Sequence, residues 1–213
     1  MSFDVICFDC DSTLSRVEGI DELARRHDLF DEVAALTDKA MNGELALEAV
    51  YGHRLELIKP DKPALAWLAD LYITEMVEGV AETVKTLLDH GKQIHIISGG
   101  LRQAILPLAA LLGIPEDHVH AVDVLFDEQG RYRDFARQSP LAVSGGKARV
   151  CRRLRMHHSS LVMIGDGKTD LEAKQAGAYM IGFGGVVQRE LVQQQADVFV
   201  ADSSLTAILP YVL

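Results

Sequence analysis

Short apolar runs that each stop at a polar or glycine-rich cluster constrain this chain more than any other feature. Val5-Ile6-Cys7-Phe8 runs into Asp9-Cys10-Asp11-Ser12-Thr13, Gln93 to Ile97 into Ser98-Gly99-Gly100, and Leu161 to Ile164 into Gly165-Asp166-Gly167. Runs this short and this apolar read as buried strands. Between and after them helical periodicity recurs, over Val80 to Leu88, Leu101 to Leu112, Lys147 to Leu154 and Thr169 to Ala176. Strands alternating with helices predict an α/β protein, a Rossmann-like parallel sheet flanked by helices on both faces. Val119 to Val124, Met180 to Phe183 and Val198 to Val200 read as further strands, and Leu205 to Leu209 as a closing helix. Asp127-Glu128-Gln129-Gly130, set between apolar residues from Leu125 to Phe135, suggests a hairpin.

One stretch breaks the alternation. From about Glu18 to Leu71 the pattern is helical with no strand, and Pro60 and Pro63 interrupt it between Leu45–Ile58 and Ala64–Leu71. That is too long for a connection, so we expect a helical-bundle cap inserted after the first strand. The expected division is residues 1–13 and 78–213 for the core and 14–77 for the cap, with hinges at 14–18 and 72–79. Such a lid would exclude water when closed and release product when open.

Composition narrows the partners. With 48% hydrophobic and 24% charged residues, the chain can bury a core, and its net charge of -10 argues against a nucleic-acid partner. A small phosphate ligand needs only a local positive site and stays open. No apolar stretch approaches the roughly 20 residues that span a bilayer, so no membrane partner is expected. The opening Met1-Ser2-Phe3-Asp4 lacks the basic start of a signal peptide. Cys7, Cys10 and Cys151 are sparse and odd in number, which suits buried free thiols in a reducing cytoplasm. A monomer or a homodimer is expected.

Every polar cluster follows a strand and so falls on one edge of the sheet, where α/β proteins bind ligands. Asp9 and Asp11 are two residues apart and repel, which suits chemistry better than stability. Asp9 and Asp166, from two strand ends, can converge on a hard cation, for which carboxylates and water suit Mg²⁺. Ser98 and the amides of Gly99 and Gly100 can hold phosphate oxygens, and Lys147 adds positive charge. Phosphoryl transfer needs mainly positioning and neutralisation, and a carboxylate nucleophile divides hydrolysis into two steps. The second acid then protonates the leaving alcohol and activates water. Taken singly, a lysine at a helix start is usually solvated, and a Ser-Gly-Gly or Gly-Asp-Gly is usually only a turn. Their joint order carries the reading.

Asp9-x-Asp11-x-Thr13, Ser98-Gly99-Gly100, Lys147 and Gly165-Asp166-Gly167-x-Thr169-Asp170 resemble the four signatures of the haloacid-dehalogenase superfamily. Within it the chain is similar to the phosphoserine phosphatase family over nearly its whole length. Glu18-Gly19-Ile20-Asp21-Glu22-Leu23-Ala24, Ser144-Gly145-Gly146-Lys147 and Ile181-Gly182-Phe183-Gly184-Gly185 carry that likeness. The resemblance implies Asp9 as nucleophile, Asp11 as general acid/base, and Mg²⁺ on Asp9, the Asp11 backbone carbonyl and Asp166. It implies phosphate binding by Ser98, Gly99 and Lys147, with Thr13 and Asp170 in support. Glu18 would receive the substrate ammonium and Arg54 its carboxylate, with Met41, Gly100 and Thr169 beside the substrate. The implied reaction is hydrolysis of O-phospho-L-serine through an aspartyl-phosphate. The chain departs from the family at Leu47, where an aromatic residue is usual, while Tyr51 lies one turn on. That leaves a related phosphatase or phosphotransferase on phosphohomoserine or phosphothreonine as the alternative.

Overall fold

The computed structural model describes residues 3–213, so Met1 and Ser2 of the opening segment lie outside the described residues. The chain enters through β1 (Val5–Phe8), all four residues of which are buried. Four helices follow before the next strand: α1 (Gly19–Arg25), α2 (Phe30–Met41), α3 (Leu47–Ile58) and α4 (Lys62–Thr74). The alternating part runs through α5 (Val80–Asp89), β2 (Gln93–Leu101), α6 (Arg102–Leu111) and β3 (Val119–Val122). A hairpin, β4 (Val124–Phe126) with β5 (Tyr132–Phe135), precedes α7 (Gly146–Arg155) and β6 (Leu161–Gly165). The chain closes through α8 (Lys168–Leu171), β7 (Tyr179–Phe183), α9 (Glu190–Gln195), β8 (Val198–Val200) and α10 (Leu209–Val212).

Six strands form one sheet in the order β3-β2-β1-β6-β7-β8, and every pairing is parallel. The chain builds outward from β1 to β3, then returns to place β6 on the other side of β1. That reversal is a topological switch point, and the strand ends there open a crevice. The register sets Phe8 against Ile164, so Asp9 and Asp166 leave adjacent strands at nearly the same height. Phe8, Ile6, Ile96 and Phe183 are fully buried in the core.

The helical insertion is joined to the sheet by a narrow neck. Ser15 and Met76 form an antiparallel bridge. The Arg16 amide donates to the Glu75 carbonyl at 2.8 Å and the Val77 amide to the Leu14 carbonyl at 3.0 Å. Both expected hinge segments thus meet at one place.

Several boundaries differ from expectation. β2 does not stop at Ile97 but runs through Ser98-Gly99-Gly100 to Leu101, with a register break between Ile97 and Leu101 against β3. The phosphate-type cluster is therefore a bulged strand end rather than a free turn. Pro63 does not break a helix: it sits in the first turn of α4, where its missing N–H costs nothing, and Asp61 caps the Ala64 amide at 2.8 Å. The expected strand Val119–Val124 divides at Asp123, one half joining the sheet and the other the hairpin. The helix expected over Thr169–Ala176 is α8 followed by a 3₁₀ turn, Glu172–Ala176. α9 had no counterpart in the periodicity.

No helix is long and apolar enough to cross a membrane among the described residues. The three cysteines are free and buried.

Away from the crevice, His95 on β2 stacks on His118 with ring centroids 4.0 Å apart, and its Nδ1 lies 3.2 Å from Nε2 of His120 on β3. Burial and the neighbouring His118, His120 and His158 push the His95 pKa down to about 3. Burial, Arg153, His118 and Arg102 push His120 down to about 4, against a smaller opposite pull from Asp117. Both folded values lie below the ordinary 6.5. Their stabilising contribution is therefore complete above that value and is lost as pH falls through it toward 4. We expect the melting temperature to drop between pH 7 and pH 5, and the double variant His95→Gln, His120→Gln to flatten that slope. An unchanged slope in the double variant would assign the acid sensitivity elsewhere.

Candidate active site

The ends of β1, β2 and β6 and the start of α7 meet beneath the helical insertion around one cavity. Asp9, Asp11, Glu18, Met41, Arg54, Ser98, Gly99, Gly100, Lys147, Asp166 and Thr169 all line it. Eleven residues singled out from scattered stretches of sequence are thus gathered at one place. Thr13 and Asp170 lie behind the lining. Thr13 is fully buried and its hydroxyl has no hydrogen-bond partner among the described residues.

At the floor, the Lys147 ammonium lies 2.7 Å from Asp9 Oδ2 and 2.6 Å from Asp170 Oδ1. All three side chains are buried, so attraction there is little screened by water. Burial disfavours the ammonium, but Asp170 and Asp9 outweigh it and hold Lys147 above its ordinary range. The lysine is aimed by α7. Gly145 is left-handed (φ 75°), and its amide donates to the buried Glu172 carboxylate at 2.6 Å. At Gly146 a Cβ would lie 1.9 Å from the Pro140 carbonyl oxygen, so only glycine lets the helix start there. Gly165 plays the same part under Asp170, whose Cγ would be 2.2 Å from a Cβ at that position.

The carboxylates are held separately. Asp9 Oδ1 accepts the Cys10 amide at 2.7 Å. Asp11 Oδ1 accepts the Gly19 amide at 2.8 Å and the Tyr72 hydroxyl at 2.7 Å. Burial and the adjacent Asp9 raise the Asp11 pKa to about 7. Burial, then Asp9, raise Asp166 to about 6 against the pull of Arg189 and Lys147. Asp170 is engaged on both oxygens, by Lys147 and by the Gly167 amide at 3.0 Å.

Oxygens of Asp9, Asp166 and Asp170 lie within 4.8 Å of one another. An all-oxygen set of this kind suits a hard divalent cation and not a soft one. Each of the three already has protein partners: Lys147 on Asp9 and Asp170, the Cys10 amide on Asp9, the Gly167 amide on Asp170 and Arg189 on Asp166.

Residues of the helical insertion complete the lining. The Arg54 guanidinium is only 3% exposed; its Nη1 donates to Thr37 Oγ1 at 2.7 Å, and its buried Nε has no hydrogen-bond partner among the described residues. The Thr37 hydroxyl in turn donates to Asp21, a buried acid on α1. Glu18 accepts the Ser12 hydroxyl at 2.7 Å, and burial, with Asp11 and Asp166, holds its carboxyl well above the usual carboxylate range. Leu47 and Tyr51 also line the cavity. The Tyr51 hydroxyl donates to the Gly99 carbonyl at 2.7 Å, so the aromatic ring is pinned to the bulged strand end.

Sequence reading missed several participants. Arg189, 6% exposed, donates from Nε to Asp166 at 3.2 Å and from Nη1 to Asp38 and Asn42 of the insertion, each at 3.3 Å. It follows the Gly184-Gly185 turn with no periodicity to mark it. Asp21, Thr37 and Tyr72 read as ordinary helix positions, and only the docking of α1, α2 and α4 gives them partners.

The cavity, its cation-suited carboxylates and the bulged Ser-Gly-Gly strand end define a class before any single protein. Residues 3–177 match the family model described as haloacid dehalogenase-like hydrolase, and the chain belongs to that family. Within it, the chain is 38% identical over 203 residues to the phosphoserine phosphatase of Homo sapiens, covering 94% of this chain and 90% of that one. It is 40% identical over 205 residues to the phosphoserine phosphatase of Drosophila melanogaster, covering 93% and 74% respectively. A substrate-bound phosphoserine phosphatase structure superposes with a TM-score of 0.86 over the full length of both chains, at 25% identity.

The floor predicts its own disruption. Lys147→Met leaves buried carboxylates facing one another without their cation. Removing one partner of such a pair costs about 3–5 kcal/mol. We expect urea unfolding without divalent cations to show that loss; a change below about 1 kcal/mol would show that the pair adds little over its desolvation cost.

Proposed function

We propose that this chain is a Mg²⁺-dependent phosphomonoesterase that hydrolyses O-phospho-L-serine to L-serine and phosphate. One observation carries the reading. A single cavity is lined by Lys147 and the Ser98–Gly100 strand end together with an acid, Glu18, and a guanidinium, Arg54. Phosphoserine offers a phosphate, an ammonium and a carboxylate, and this lining is complementary to all three. Among the described residues the Arg54 Nε has no hydrogen-bond partner, which leaves the guanidinium donor capacity beyond its bond to Thr37.

In this reading Asp9, Asp166 and the Asp11 backbone carbonyl hold Mg²⁺, which when bound neutralises charge on the transferring phosphoryl group. Ser98, the Gly99 amide and Lys147 orient the phosphate. Asp9 attacks phosphorus as the bond to the seryl oxygen breaks, and Asp11 gives that oxygen its proton. Serine departs and leaves an aspartyl-phosphate. Asp11, now ionised, takes a proton from water as its oxygen attacks phosphorus, and the bond to Asp9 breaks. Glu18 and Arg54 orient the amino acid, with Met41, Gly100 and Thr169 close by. Residues 14–77 serve as a cap over a core of residues 1–13 and 78–213, pivoting at the Ser15–Met76 neck. Buried free thiols and the small polar substrate fit a cytoplasmic enzyme.

Leu47 on the cavity wall favours one second reading. An aliphatic residue in place of an aromatic one leaves the alcohol end of the pocket a different shape, which suits phosphothreonine or phosphohomoserine.

The test is a panel of phosphoserine, phosphothreonine, phosphohomoserine and unrelated phosphomonoesters, with and without Mg²⁺, and with alcohol acceptors added to detect transfer. Phosphoserine is expected to lead in kcat/KM, with activity lost on chelation and restored by Mg²⁺. Turnover of the others without phosphoserine would sink the substrate. Asp9→Asn should lower kcat at least about 10³-fold, as loss of a nucleophile does. Arg54→Lys should raise KM for phosphoserine about tenfold or more, because an ammonium cannot reproduce the guanidinium fork.

A further inference from the structure

We propose that Tyr72 is a positioning residue that fixes which oxygen of Asp11 moves the proton. The inference rests on the reading of Asp11 as general acid/base.

A carboxylate free to rotate about χ2 exchanges its two oxygens, and proton transfer then samples both. Asp11 is not free. The fully buried Tyr72 hydroxyl has a single hydrogen and gives it to Oδ1 at 2.7 Å. The Gly19 amide, at the first position of α1, donates to the same oxygen at 2.8 Å. Two donors on Oδ1 leave Oδ2 as the oxygen open to the reaction. Oδ2 points toward the phosphate-binding strand end, since a Cβ placed on Gly100 would lie 3.0 Å from Asp11 Oδ2 and 3.1 Å from Ser98 Oγ.

The pair of donors is built as a unit. A Cβ on Gly19 would lie 2.0 Å from the Tyr72 hydroxyl oxygen and 2.8 Å from Cζ. The tyrosine thus fills the space that glycine leaves, and a side chain at residue 19 would displace its hydroxyl. Asp11 belongs to the loop after β1, whereas Gly19 and Tyr72 lie on α1 and α4 of the insertion. The insertion does more than cover the substrate: it orients the acid/base, so Asp11 is set for proton transfer only when α1 and α4 are seated against the strand ends.

Tyr72→Phe removes one hydroxyl and keeps the ring. Losing one donor to a carboxylate should lower kcat for phosphoserine about tenfold while KM stays within about twofold. Acetyl phosphate supplies the contrast, because acetate departs without a proton. Its kcat/KM, which reads the steps through leaving-group departure, should change less than about threefold. Melting within a few degrees of the parent protein would confirm intact folding. An equal fall on both substrates, a raised KM with kcat kept, or unchanged kinetics would each overturn the proposal. If the parent protein does not hydrolyse phosphoserine, the substrate reading fails separately, and the contrast is read on whichever alkyl phosphomonoester of the panel it does hydrolyse.

Discussion

The buried ammonium of Lys147 is the interaction on which the rest of the site depends. Asp9 and Asp170 both face it within 2.7 Å, and neither side chain is more than 9% exposed. Without it, carboxylates from the end of β1 and from α8 could not share so small a buried volume, because desolvation and mutual repulsion would protonate or separate them. Glycines carry much of that burden. Gly146 lets α7 start close enough to aim the lysine, and Gly165 lets Asp170 fold back beneath the strand end. The positive charge that organises the protein's own acids is also the charge that an incoming phosphate meets. Structure and chemistry therefore draw on the same atom.

A second level of organisation adds polar contacts between the insertion and the core to the apolar packing of α4 on α6. Tyr51 reaches the Gly99 carbonyl, Glu48 accepts the Ser144 amide at 2.9 Å, and Arg189 links Asp166 to Asp38 and Asn42. Hydrogen bonds of this kind give up little net free energy when broken in water, since solvent replaces the partner.

Much of this was legible in the sequence, for a physical reason. The apolar runs of β1 and β6 end abruptly at acids, and parallel strands place such ends side by side. Asp9, Asp11, Asp166 and Lys147 could therefore be located before any coordinates. Glu18 and Arg54 came from family likeness alone, because nothing in helical periodicity separates a pocket charge from a solvated one. What stayed hidden depends on long-range docking. Arg189 meets Asp38 across 151 positions, and no local pattern encodes that distance. Tyr72 looks like one more residue of an apolar helix until Gly19 is seen to leave room for its hydroxyl. The extent of β2 was misjudged because glycines usually end strands, whereas here they prolong one across a bulge.

The neck at Ser15 and Met76 bears on how such an enzyme could be re-engineered. The insertion begins and ends at one bridge, so as a graft it has matched ends, and a replacement of different length would add little loop-closure entropy. Matched ends do not make it a neutral cassette. A foreign insertion that brought a new specificity pocket but no counterpart of Gly19 and Tyr72 would close over an acid/base left to rotate. Recombining such modules would thus select insertions first for how they grip one aspartate, and only afterwards for the substrate they admit.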